Sequence, residues 1–165
     1  MKDYDEPMND QRSIKIHTEA DFDGMRKAGR LAAETMDYVI PFVKPGVTTD
    51  ELNTLCHDFI IDHGATPSPL NYRGFPKSIC TSINHVVCHG IPGDRKLVDG
   101  DIMNIDVTVT LDGWFGDHSR MVPAGKAGVK ARKLIDATFE AMWAGIRAVK
   151  PGATTGDIGH AIQTY

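Results

Sequence analysis

The spacing of apolar positions switches from helical to alternating and back along this chain, and the switches mark out its elements. Residues 1 to 13 have no period and read as a disordered acidic tail. Ile14-Lys15-Ile16 predicts a short strand, after which Thr18 opens a helix with Phe22, Met25, Gly29, Ala32, Met36 and Val39 on its apolar stripe. Pro41 and Pro45-Gly46 end that helix. Thr48-Thr49-Asp50-Glu51 has capping-box spacing, and Leu52, Leu55, Cys56, Phe59 and Ile60 line one face of a second helix that stops near Gly64. The segment from Ala65 to Phe75 is a loop rich in Pro, Gly and Asn. Alternation returns over Ser78 to Ile83, Asn84-His85 makes a turn, and Val86-Val87-Cys88 reads as strand running into His89-Gly90-Ile91-Pro92-Gly93. Ile102 to Thr110 alternates strictly and is rich in Ile, Val and Thr. Helical period resumes over Val129 to Val149, with Leu134, Thr138, Met142 and Ile146 on one stripe, and a further helix begins at Thr154.

This order of elements contains a repeat. VKPGVTTDEL at 43–52 recurs as VKPGATTGDI at 149–158, 106 residues later, and each copy follows a long amphipathic helix. The first copy precedes about 60 residues of strand-rich sequence, whereas Tyr165 falls inside the second helix of the second copy. The expectation is a chain that is either part of a protein about 90 to 100 residues longer or a shortened relative.

The alternating stretch also carries charge. Asp112-Gly113 favours a two-residue type I′ turn, which pairs Leu111 with Trp114, Thr108 with Asp117 and Asp106 with Ser119. Asp106 and Asp117 then share a face as diagonal neighbours, roughly 7–8 Å apart at the backbone. Two anions on a half-buried sheet face need compensation. One of them could be a solvated edge residue, or the pair could share a proton. A bridging divalent ion, or two of them, accounts for both residues at once, and such carboxylates suit Mn, Fe, Co or Zn. His89, at a strand end before a Gly/Pro loop, is an acid/base candidate. The intervening strand rules out a helical zinc pair with His85. His17, His57, His63 and His160 lie on helices or their ends and read as structural. Tyr72 and Phe75 either decorate a connector or wall an apolar pocket.

Composition narrows the setting. At 165 residues, 41% apolar and 24% charged, the chain has material for one domain with a core. Of the net charge of −4, residues 1 to 10 supply −3, so the body is nearly neutral, which argues against a nucleic-acid partner. No apolar run approaches the roughly 20 residues of a membrane span and no signal peptide is visible, which points to a soluble cytoplasmic protein. Cys56, Cys80 and Cys88 lack zinc-site spacing and read as reduced core thiols.

SINHVVCHGIP (82–92), GDIMNIDVTV (100–109) and GWFGDHSRM (113–121) together resemble the type I methionine aminopeptidases, and the likeness runs from about Ile14 to the last residue. The resemblance implies an α+β pita-bread fold, here its first half plus the opening helices of the second. The first repeat would span about 18–124 and the second begin at about 127. It implies removal of the N-terminal methionine from nascent polypeptides by two-metal hydrolysis. Asp117 would bridge two divalent ions (Co, Mn, Fe or Zn) and Asp106 bind one. By the same resemblance His89 contacts the scissile amide, Tyr72, Phe75 and Cys80 line the methionine pocket, and Asn84 and Val86 hold a monovalent cation weakly through backbone oxygens. The family's other ligands, a histidine in a GHG motif and two glutamates, belong to its second half and are absent from this sequence. Pro69, Phe75 and His118 depart from the residues common among relatives. A monomer acting on nascent chains is implied, with ribosome association left open. A competing expectation is a non-catalytic pita-bread module that binds peptides or partners.

Overall fold

A computed structural model describes residues 15–165, so the expected acidic tail lies outside the described residues. Four strands form an antiparallel sheet around β3 (Ile102–Leu111): β4 (Trp114–Pro123) flanks one edge, while β1 (Thr66–Pro67) and β2 (Cys80–Ile83) share the other. The hairpin has the predicted register, Leu111 opposite Trp114, Thr108 opposite Asp117 and Asp106 opposite Ser119. Its turn residues are both left-handed, Asp112 at φ 51° and Gly113 at φ 81°, as a type I′ turn demands. The strict alternation of β3 then sorts its side chains: Met103, Ile105, Val107 and Val109 are fully buried, while Asn104, Asp106, Thr108 and Thr110 are half-buried on the opposite face.

Two helices, α1 (Glu19–Val39) and α2 (Thr49–Asp62), cover the apolar face. Ala32, Met36, Val39, Leu52, Cys56 and Ile60 pack there with the odd-numbered residues of β3. The stripe predicted for α1 holds in its C-terminal half, but Phe22 and Met25 are exposed. The buried stripe runs instead through Gly24, Ala28 and Leu31, because the sheet comes too close for large residues: a Cβ on Gly24 would meet the Trp114 ring at 2.3 Å. Pro41 does not break the chain; Ile40–Phe42 continues as a 3-10 turn.

Both N-termini carry a capping box, at Thr48 as the spacing predicts and also at Thr18, where the sequence predicted only a helix start. In α2 the Thr48 hydroxyl accepts from Glu51 N–H at 3.1 Å, and the Glu51 carboxylate accepts from Thr48 N–H at 2.7 Å. Thr48→Ala is expected to lower stability by about 1 kcal/mol, read as a shift in thermal midpoint. In α1 the Thr18 backbone N–H and hydroxyl, aided by Lys15, hold the Asp21 carboxyl down to about 2.

Three local expectations need correcting. Lys15 and Ile16 are not strand; Ile16 is exposed with no neighbouring ladder, and Lys15 reaches Asp21 at 3.2 Å. Val86–Cys88 is not strand either. The ladder closes at Asn84, which sits at φ 53° and whose side-chain oxygen, rather than a further backbone group, accepts from Ile102 N–H at 3.0 Å. Consequently Cys88 is exposed, while Cys56 and Cys80 are buried as expected. The histidines read as structural do have partners: His57 with the Ser78 hydroxyl at 2.8 Å, His63 with Phe59 O at 2.7 Å.

The repeat is visible as geometry. Gly46 (φ 92°) and Gly152 (φ 87°) make the same turn, and Thr154 with Asp157 caps α4 (Thr155–Thr164) as Thr48 with Glu51 caps α2. The first turn is anchored to the body, Gly46 N–H donating to Leu97 O at 2.8 Å. The second has only local bonds, such as Ala153 N–H to Lys150 O. Helix α3 (Val129–Arg147) packs on α4 at Gly145, against Ile158 and Ile162. The stripe predicted for α3, Leu134, Thr138, Met142 and Ile146, is exposed throughout, and Gly145, outside that stripe, is the buried residue of the helix. Among the described residues, no helix is long and apolar enough to cross a membrane.

Candidate metal centre

The half-buried face of the hairpin places Asp106 on β3 and Asp117 on β4 on the same side, one rung apart diagonally. Thr108, directly across from Asp117, donates its hydroxyl to Asp117 Oδ1 at 2.8 Å. On the next rung but one, Asn104 Nδ2 donates to Ser119 Oγ at 2.8 Å. Burial, and then the negative charge of Asp117, push the Asp106 carboxyl above the usual carboxylate range, and His89 pulls it back down. Asp106 therefore feels both Asp117 and His89, although the three lie on three segments of the chain.

His89 is brought in by a loop, not a strand end. The residue itself is left-handed at φ 54°, and Gly90 clamps the loop onto β2: Thr81 N–H donates to Gly90 O at 2.8 Å, and Gly90 N–H donates to Ser82 Oγ at 3.1 Å. Glycine is required there, since a Cβ would stand 2.1 Å from Thr81 O. Further along, Gly93 N–H donates to Thr49 Oγ1 at 2.9 Å, tying the same loop to the start of α2.

A cleft of about 670 Å³ opens beside these groups. Tyr72, Phe75, Cys80, His89 and Asp106, all singled out in the sequence, line it. The connector between α2 and β2 is thus a wall. It is fixed at its start by β1 and by Ser68 N–H donating to Thr108 O at 2.9 Å, and closed on itself by Asn71 N–H donating to Phe75 O at 2.8 Å. Burial first, then Asp106, Cys88 and Asp117, push the Cys80 thiol up to about 11, so it is a neutral wall group and no nucleophile. Asn84 and Val86 are not in the lining; the Asn84 amide is bonded to Asp101 at 2.7 Å and thereby fixes the turn. His118 faces the helix side, opposite Val107, with Arg120 Nη2 3.4 Å from its Nε2.

The sequence profile of metallopeptidase family M24 matches residues 23–165. The chain belongs to that family. It is 64% identical over 153 residues to the methionine aminopeptidase of Rickettsia prowazekii, covering 93% of this chain and 59% of that protein. It is 50% identical over 155 residues to the Escherichia coli K12 methionine aminopeptidase, again 93% of this chain and 59% of the relative. The crystal structure of the Rickettsia prowazekii enzyme superposes with a TM-score of 0.91, covering 93% of this chain and 62% of that one. A Xaa-Pro dipeptidase from Bacillus anthracis shares the fold at 20% identity, with a TM-score of 0.80 over 91% of this chain and 41% of its own. The α+β architecture is accordingly the pita-bread fold of family M24, and the chain spans about 60% of the length of the curated relatives it matches.

Membership of a metallopeptidase family implies divalent-metal chemistry. Among the described residues, no group of three or more His, Cys, Asp or Glu is arranged to hold a metal ion. Pro69, noted in the sequence as a departure, lines the cleft as well, and so do Ser68, Arg73, Ile91, Thr108 and Phe115, which were not singled out. Thr108 and Phe115 could have been found, because they share the hairpin parity of Asp106 and Asp117. Ile91 lies two residues beyond His89 in its loop. Nothing in the pattern marks Arg73.

Proposed function

We propose that this chain is the greater part of an enzyme that removes the N-terminal methionine from nascent polypeptides in the cytoplasm. One observation carries the proposal: Asp106 and His89 line an apolar cleft walled by Tyr72 and Phe75, with Asp117 beside Asp106 on the same sheet face, in a chain 64% identical to a methionine aminopeptidase. Residues 14–165 are then an incomplete pita-bread catalytic domain, with a first repeat at about 18–124 and a second from about 127.

The donor set fits a hard or borderline divalent ion. Two carboxylates share one sheet face, and the resulting repulsion is relieved by positive charge placed between them. By the family resemblance, Asp117 would serve two ions and Asp106 one of them, from among Co, Mn, Fe and Zn. When bound, such ions supply Lewis-acid activation of water and of the carbonyl after methionine. The chain's own groups do the rest. Tyr72, Phe75 and Cys80 receive the unbranched, flexible methionine side chain. Thr108 orients Asp117 through its 2.8 Å hydrogen bond. His89, clamped by Gly90, offers a ring nitrogen to the scissile amide and moves a proton there. Asn84 and Val86 are assigned to a weak monovalent-cation loop through their backbone oxygens. The complete protein acts as a monomer.

One observation favours a second reading, a non-catalytic peptide-binding module: two carboxylates are too few to replace the hydration of two divalent ions. Titration calorimetry separates the two. Mn or Co is titrated into residues 1–165, and into the same chain completed with the C-terminal part of the Rickettsia prowazekii relative. The expected result is no tight two-site binding and no cleavage of Met-Ala-Ser by the first, with both present in the second. A completed chain that neither binds metal nor releases methionine leaves the module reading standing.

A further inference from the structure

The loop that walls the cleft holds a residue with no part in the chemistry above. Arg73 sits at φ 49° between Tyr72 and Gly74, a left-handed backbone that favours glycine or asparagine and that a long branched side chain seldom adopts. Two neighbours share this conformation, Asn71 at φ 66° and Gly74 at φ 85°, and together they fold residues 71–75 into a tight knuckle. Persistence of a strained position at a cleft is reason to look for a task.

Charge identifies the task. Arg73 is the one permanent cation in the cleft lining, where Asp106 is the anion. Among the described residues Arg26, Arg95 and Arg120 are each matched with a carboxylate, whereas Arg73, like Arg30, Arg132 and Arg147, has none, and of these four it is the one in the cleft lining. Its guanidinium instead lies over the exposed Tyr72 ring, 5.4 Å from the centroid. Stacking on a ring holds the planar fork in place and leaves its N–H donors free for a carboxylate. The otherwise apolar cleft lining therefore carries one carboxylate, Asp106, and one cation, the exposed Arg73, whose charge is not neutralised by an acid of the chain.

We infer, resting on the proposed release of methionine, that Arg73 is a specificity-determining residue whose guanidinium binds a carboxylate of the peptide downstream of the scissile bond. Substrates with an acidic group shortly after the methionine are preferred over those with a basic one. Two sources supply such a carboxylate, an Asp or Glu side chain and the free C-terminus of a very short peptide.

The test uses the chain completed with the C-terminal part of the Rickettsia prowazekii relative. Methionine release is compared for Met-Ala-Asp-Gly amide and Met-Ala-Lys-Gly amide, and for Met-Ala-Ser as free acid and as amide. An exposed ion pair of this kind is expected to favour the Asp peptide in kcat/KM by about five-fold. The ratio falls to about one in Arg73→Gln, inverts in Arg73→Glu and is partly kept in Arg73→Lys. A preference for Asp over Lys assigns the carboxylate to a side chain; a preference for the free acid over the amide assigns it to the terminus. The inference is overturned if both ratios are near one, or if they survive unchanged in Arg73→Gln. Absence of methionine release from every peptide overturns the proposed function as well, whereas release without charge preference overturns this inference alone.

Discussion

Replacing Asp117 by alanine in the completed chain is expected to abolish metal-dependent methionine release, a loss on the order of 10³-fold or more. Asp117 is assigned to bridge both ions, so its removal takes a donor from each. It also leaves burial as the cause that raises the Asp106 carboxyl, removing the second cause, the Asp117 charge, and it leaves Thr108 without its acceptor. Metal content and turnover should fall together. His89→Ala behaves differently: metal stays bound and turnover drops by roughly 10²- to 10⁴-fold, the usual scale for a positioned proton-transfer group. Metal analysis of the purified variants beside peptide kinetics separates the two. Loss of metal from the His89 variant would show that it is a ligand and not a proton-transfer group.

Gly116→Ala is expected to be the most damaging single methyl in the fold. Gly116 lies opposite Val109 on the helix side of β4, and a Cβ there would stand 2.0 Å from Ala28 O and 2.2 Å from its carbonyl carbon. The obstacle is main chain, which no rotamer change can clear, so α1 must lift away from the sheet. A destabilisation of about 3 kcal/mol or more is expected, at the upper end of overpacked sites, and a urea midpoint reports it. Gly29→Ala, one residue along the helix from Ala28, has nothing within 4 Å of the added atom. That change should be neutral or slightly stabilising, by about 0.5–1 kcal/mol from helix propensity. Equal damage from both would mean that α1 does not rest on β4 at this point.

The hairpin was fully legible in the sequence because two independent signals agree there. Asp112-Gly113 sets the turn, the alternation of Ile102 to Thr110 sets the faces, and each determines the register alone. The capped helix starts were legible for a similar reason, since Thr and an acid three residues on form a closed local unit. What could not be read depends on neighbours distant in sequence. The stripe chosen by α1 is decided by how closely Trp114 and Gly116 approach it, and a period of 3.6 fits the wrong stripe nearly as well. All four residues of β2 are buried because the Gly90 loop lies over it, which local alternation cannot foresee. Of the residues singled out, Asp106, Tyr72 and Phe75 line the cleft together with Cys80, which the family resemblance alone had placed there, and Asp117 shares the sheet face of Asp106. His89 was found too, but on the wrong kind of backbone, because Val86–Cys88 has strand propensity and no strand to pair with. Arg73 escaped because an unpaired arginine in a loop looks like any solvated charge.

The two-residue turn at Asp112-Gly113 has a consequence for how this hairpin can change in evolution. Asp106 and Asp117 face the same way only because the number of residues between them matches the pleat. Sequence identity at the tip is therefore nearly free to drift, provided left-handed residues remain, but length is quantised. Gain or loss of a single strand residue between Asp106 and Asp117, unless absorbed as a bulge or a longer loop, turns one carboxylate toward the helix core. Two residues added symmetrically at the tip, one to each strand, would move the turn outward and leave the pair on its face. Length variants among descendants of this sequence should therefore differ by even numbers here, a parity rule that constrains deletions more tightly than any single substitution outside the two aspartates.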